Sequence, residues 1–167
     1  MLGLVLLYVG IVLINNGLSG LLGFAPKSAA FMNMVVGTLS VFANFVMMAV
    51  AAANGAEATA YWGMATGLLF GITYLFQAFN LLMAWDKRPY GWFCLFVAVN
   101  ALVAGGLDGN AFGTLIWWAW AVLWLTGFIE CALDKSLGRF PAWLAVVEGI
   151  LTAWLPGLLI LSGRWQW

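Results

Sequence analysis

The chain has 167 residues, of which 65% are hydrophobic and 7% charged, with six basic side chains against six acidic ones and no histidine. Soluble domains run at roughly 45–50% apolar and 25% charged, so a water-soluble fold is excluded and the chain reads as an all-α integral membrane protein. Balanced charge without a basic patch excludes nucleic acid as a partner, and two cysteines without histidine leave nothing to ligate a transition metal.

Runs of about 20 apolar residues cross a bilayer as helices. Six such runs fall at residues 2–22, 29–52, 60–84, 90–107, 112–133 and 141–161. Little is left over, so residues 1–167 are expected to form a single six-helix membrane domain. Lys27, Lys87, Arg88, Lys135 and Arg139 lie in the loops joining helices one to two, three to four and five to six, while Arg164 alone lies on the other side. By the positive-inside rule those three loops are cytoplasmic and both termini external. No basic residue precedes Leu2, so the charged start of a cleavable signal peptide is missing and Met1 onward is expected to be retained. Cys94 and Cys131 map near the cytoplasmic ends of helices four and five and read as small packing residues rather than a disulfide.

Helix one places Leu2, Leu6, Val9, Leu13 and Asn16 at steps of four and three, one continuous face that either meets lipid or lines something narrow. Gly3, Gly10 and Gly17 recur every seven residues on another face and read as a close helix contact. Asn15 and Asn16 either cap the cytoplasmic end or serve a polar route. In helix two Asn33 and Asn44 interrupt an apolar run and read as interhelical hydrogen bonds. The following external loop is short and carries only Glu57.

Helix three holds Gly63, Gly67 and Gly71 at four-residue spacing, a signal that another backbone approaches closely. Phe70, Tyr74 and Gln77 share an adjacent arc, with Asn80 below them, which suggests a polar route. The joint WDKRP at residues 85–89 resembles DKSLGRFP at 134–141, and FVAVNAL around Asn100 resembles AVVEGIL around Glu148. Both pairs read as an internal repeat of a two-helix hairpin, present a third time in helices one and two. Helix five, IWWAWAVLWLTGFIE at residues 116–130, sets Trp117, Trp120, Trp124 and Phe128 on one face, with Ala119, Leu123, Thr126 and Glu130 on a neighbouring arc. Trp120 and Trp124 lie inside the span rather than at its ends, so an aromatic belt competes with a lined pathway. In helix six Glu148 lies within the span with Thr152 one turn on; a carboxylate there costs roughly 2.5–3.5 kcal/mol against lipid and should face inward. Pro156 is expected to bend the end of that helix.

Four stretches in order, MLGLVLLYVGIVLINNG at the start, GLLFGITYL at 67–75, WAWAVLWLTGFIE at 118–130 and VVEGILTAWLPGLL at 146–159, resemble the bacterial urea and short-chain amide channel family. The resemblance spans essentially the whole chain. It implies six helices as three two-helix hairpins, a pore within each protomer, a homo-hexamer in the cytoplasmic membrane with both termini periplasmic, urea or small amides as permeant solutes among membrane lipid, no cofactor and no enzymatic activity. Carried over residue by residue, its constrictions fall on Leu2, Leu6, Val9, Leu13, Asn16, Phe70, Tyr74, Trp117, Trp120, Leu123, Trp124 and Glu148. Two departures stand out. The acid-gated branch carries a long first external loop with titrating histidines, whereas this loop is short and the chain has none, so acid gating of that kind is not expected. Gly113 also stands where that branch has a further tryptophan, which is expected to widen the external mouth. The competing functions are a proton-coupled transporter using Glu148 and a non-conducting membrane structural protein; no nucleophile and base pair points to an enzyme.

Overall fold

The structure, a computed structural model, describes residues 2–165. It is helical throughout, with α1 at Leu2–Leu22, α2 at Pro26–Ala53, α3 at Trp62–Met83, α4 at Arg88–Leu107, α5 at Ala111–Cys131 and α6 at Phe140–Leu161. Each is long and apolar enough to cross a bilayer, and helices are what such a solvent demands, because hydrocarbon offers the backbone no hydrogen-bond partners. Met1, on which the expectation about a leader falls, lies outside the described residues.

Helix ends follow local chemistry. Proline sits in the first turn of α2, α4 and α6, where its missing N–H costs nothing, and the Asn110 side chain caps α5 by accepting from the Phe112 N–H at 3.0 Å. The three basic loops all turn through a left-handed residue: Gly23, Ala84 and Asp134 at φ 70°, 52° and 52°. Two are then tied by a carboxylate. Asp86 accepts from the Arg88 N–H at 3.0 Å and Glu130 from the Leu137 N–H at 3.0 Å. This recurrence accords with the internal repeat.

The helices close into a ring in chain order, with α6 returning to α1. The closest packing joins α2 to α3, α4 to α5 and α1 to α6, so the three tight pairs are shifted by one helix from the hairpins that the basic loops define. Small residues explain the shift. A Cβ on Gly10 would lie 2.7 and 2.8 Å from the backbone N and Cα of Trp154, and one on Gly157 would lie 2.6 Å from the Leu7 N. Gly37 meets Leu75 and Gly71, and Gly91 meets Ala132, in the same way. Backbones therefore approach along these three seams as small residues in membrane helices permit. Gly63 has open space around it, unlike Gly67, whose bare face holds the Asn44 amide.

Helix six departs from a plain bend at Pro156. Its turns from Gly149 to Trp154 are π-helical before α-helical geometry resumes at Leu155–Leu161. Proline at 156 cannot donate to the preceding turn, and the wider π turn ahead of it absorbs the mismatch. Such bulges concentrate at functional positions.

Candidate functional site

Inside the ring, α1, α3 and α5 supply most of the large side chains, and these enclose two cavities. The first, of about 310 Å³, opens toward the basic loops and is bordered by Leu13, Asn16, Tyr74, Leu123 and Trp124. The second, of about 320 Å³, opens toward the face that carries the termini and is bordered by Leu2, Leu6, Val9 and Trp117. Each far exceeds the roughly 30 Å³ that one water occupies. Phe70 and Trp120 border both cavities and stand between them.

That barrier is a packed aromatic group. The Phe70 ring meets Trp120 edge-on at 4.7 Å and Trp124 at 4.7 Å, with Trp117 at 6.1 Å, while Trp117 and Trp120 meet edge-on at 5.1 Å. Edge-to-face contacts at these distances are the favoured aromatic geometry. Phe70, Tyr74, Trp120 and Trp124 are all buried, at 3 to 8% exposure. Trp118, half exposed on the outer surface, packs over Gly105 instead.

Two hydrogen bonds fix the inner tryptophans. The Trp124 Nε1–H donates to Thr73 Oγ1 on α3 at 3.2 Å, and the Trp120 Nε1–H donates to Thr152 Oγ1 in the π segment at 2.8 Å. Thr73 escaped the sequence reading because a threonine within an apolar helix usually bonds only its own backbone, as this one also does.

Polarity is graded along the two cavities. On the terminal side the walls are aliphatic and aromatic, with Thr66 and Asp108 among the few polar exceptions. On the basic side Gln77, Tyr90, Thr126 and Glu130 join Asn16 and Tyr74. Asn16 does not cap its helix. Its amide exchanges hydrogen bonds with Asn33 of α2 at 2.9 and 2.6 Å. Asn44 instead donates to the Ser40 carbonyl of its own helix at 2.8 Å, so of the two α2 amides only Asn33 joins helices. Asn80 is buried and borders neither cavity.

The structure thus brings together every constriction residue expected from the sequence except Glu148. That side chain is 3% exposed, borders neither cavity and, among the described residues, has no hydrogen-bond partner on either carboxylate oxygen. It therefore lies behind the cavity walls rather than in them. Gly113 likewise differs from expectation. It is buried, and the space a side chain would fill is taken by the Asp108 carboxylate, so its small size admits that group and does not widen the mouth.

Among the described residues no group of three metal-binding side chains occurs, and Cys94 and Cys131 are free thiols. What the arrangement offers is two sheltered, mostly apolar cavities within one protomer, separated by packed aromatic rings.

Comparison with known proteins gives consistent matches. Residues 1–164 match the family described as AmiS/UreI family transporter. The acid-activated urea channel of Helicobacter pylori is 46% identical over 194 aligned positions, covering 99% of this chain and all of that one. A putative amidate substrates transporter protein of Mycolicibacterium smegmatis is 40% identical over 172 positions, covering 98% of this chain and 78% of the relative. The crystal structure of the Helicobacter pylori urea channel superposes with a TM-score of 0.91 at 48% identity, covering 99% of this chain and 100% of that one. These relatives are channels and transporters, not enzymes.

Proposed function

Because the chain belongs to the AmiS/UreI family of transporters, we propose that it is a passive channel for urea and short-chain aliphatic amides in the bacterial cytoplasmic membrane. The observation that carries this reading is the pair of cavities of nearly equal volume inside one protomer, open toward opposite faces and both bordered by Phe70 and Trp120. The names of the relatives, a urea channel and an amidate transporter, support the solute class.

Solute enters the terminal-side cavity past Leu2, Leu6 and Val9, crosses the aromatic group of Phe70, Trp117, Trp120 and Trp124, and leaves past Tyr74, Leu123, Leu13 and Asn16. Urea and acetamide are flat and uncharged, so they pass edge-to-face packed rings at a far smaller desolvation cost than an ion would. At the aromatic barrier hydrated ions meet apolar ring surfaces that do not replace their water ligands. The aliphatic stretch also interrupts any water chain and so limits proton leak. Tyr74 and Asn16 offer hydrogen bonds at the exit.

The channel conducts at neutral pH, because no histidine is present to titrate in the mildly acidic range. In keeping with this, the alignment to the acid-activated relative runs over 194 positions although this chain has 167 residues, so that relative carries inserted sequence which this chain lacks. Both termini face the periplasm, residues 1–167 act as one domain, and the protomers assemble as a homo-hexamer; the distribution of the basic loops supports the first of these.

The buried, unpartnered carboxyl of Glu148 favours a second reading, a proton-coupled amide transporter. Accumulation separates the two. In proteoliposomes with labelled acetamide, a channel brings the internal concentration to the external one and no further, with or without a protonophore; accumulation above the external level that collapses with the proton gradient would establish coupling.

A further inference from the structure

The two threonine contacts share a construction that the aromatic barrier does not need for packing alone. Thr73 Oγ1 lies 2.6 Å from the Leu69 carbonyl, and Thr152 Oγ1 lies 2.6 Å from the Glu148 carbonyl, each one turn back on its own helix. A threonine hydroxyl has one proton. Given to that carbonyl, it leaves the oxygen able only to accept. An indole N–H can only donate, so the polarity of both pairs is forced: Trp124 to Thr73 to the Leu69 carbonyl, and Trp120 to Thr152 to the Glu148 carbonyl.

The ties come from different sides. Thr73 stands on α3, whereas Thr152 stands in the π-helical stretch of α6. The two tryptophans are one turn apart on α5, so their rings are held from two separate walls while Phe70 presses on both at 4.7 Å.

We propose that Thr73 and Thr152 are the positioning residues that set selectivity at the aromatic constriction, by locking the Trp124 and Trp120 rings and withholding their N–H groups from the solute. This rests on the reading that solute passes between those rings. A passing amide meets ring faces without a free donor, so its carbonyl finds no partner at the narrowest point and is not trapped there. Shape decides passage at the rings, and hydrogen bonding is confined to the cavities on either side. Without its acceptor, an indole turns its N–H toward the route, which both loosens the slot and offers the solute a place to stick.

The test uses Thr73→Val and Thr152→Val, which keep side-chain shape and remove the hydroxyl, with Thr73→Ser and Thr152→Ser as rescue. In protein labelled with 15N-tryptophan, each valine variant should shift the indole resonance of its own tryptophan and speed its hydrogen exchange, leave the other tryptophan unchanged, and be reversed by serine. In proteoliposomes the ratio of urea to isobutyramide flux should fall by about two- to tenfold, the scale of one lost hydrogen bond, and serine should restore it. In a Trp124→Phe background, where Thr73 has no indole N–H to accept from, Thr73→Val should change the ratio no further. Unchanged indole signals overturn the proposal, as do an unchanged flux ratio or an equal loss in the Trp124→Phe background. Should wild-type protein conduct neither solute, the functional reading fails by itself, and the indole signals still decide whether the ties position the rings.

Discussion

Replacing Phe70 by alanine removes a ring that touches all three tryptophans of the barrier and that, with Trp120, stands between the two cavities. Two of its aromatic contacts have centroids 4.7 Å apart, and each is worth about 0.5–1.5 kcal/mol beyond burial. A buried phenylalanine truncated to alanine costs about 3–5 kcal/mol. The lower end applies here, because cavities of about 310 and 320 Å³ already border the ring and few further contacts are lost. The protein should therefore fold with a reduced melting temperature and a single merged route. Selection by size should largely vanish, since one methylene in a fitted apolar site is worth about 1–3 kcal/mol and no fitted site remains. Stopped-flow swelling of proteoliposomes under urea and isobutyramide gradients measures this directly. The urea to isobutyramide ratio is expected to drop about tenfold or more, chiefly because the larger amide speeds up. Phe79→Ala is the control, as that ring stacks on Trp85 at 5.6 Å outside the cavities. An unchanged ratio in folded Phe70→Ala protein would refute the assignment of the barrier.

Three further outcomes follow from the packing and the charges. Gly10→Ala drives a Cβ to within 2.8 Å of the Trp154 backbone, which cannot move aside as a side-chain tip does, so thermal unfolding in detergent should show a loss of about 1–3 kcal/mol; Gly63→Ala, with open space around it, should hold or gain stability. Asn33→Ala breaks the reciprocal amide pair with Asn16 and should cost about 0.6–1.7 kcal/mol for each interhelical bond lost, whereas Asn44→Ala removes a bond within one helix and should cost less by the same unfolding assay. Urea flux should be flat between about pH 5 and pH 7.5, because no histidine titrates there. The Asp86 carboxyl, held down to about 2 by hydrogen bonds from Arg88, stays ionised throughout. The sign is that of a depressed carboxylate: its pairing is complete above the ordinary carboxylate value and is lost only as pH falls through about 2. A steep rise in flux on acidification would contradict this.

Composition and run length made the membrane spans legible, with ends displaced by a few residues where Pro26, Arg88 and Phe140 begin their helices before the apolar runs do. The faces of α1 and α5 were legible because 3.6-residue periodicity survives in a membrane helix whose two sides meet different things. Glycine spacing marked close approach but not its partner. The repeat at Gly3, Gly10 and Gly17 indicated a seam, and only the closed ring reveals that the seam runs against α6. The same limit hid the fate of Gly63, whose spacing matches Gly67 and Gly71 although nothing packs there. Glu148 was read as facing inward on cost alone, and it is indeed buried, but cost cannot tell a cavity wall from the layer behind it. Thr73 gave no signal, and Thr152 was seen only as a companion of Glu148. Their partners lie 51 and 32 residues away, and the π turn that aims Thr152 leaves no mark beyond Pro156.

The most direct test of the channel reading is stopped-flow light scattering of proteoliposomes at about pH 7.5, under inward urea and acetamide gradients, beside empty liposomes. A passive channel without acid gating predicts re-swelling with both solutes well above the liposome background, rising in proportion to the gradient without saturation. Re-swelling indistinguishable from empty liposomes, in folded and assembled protein, would contradict it.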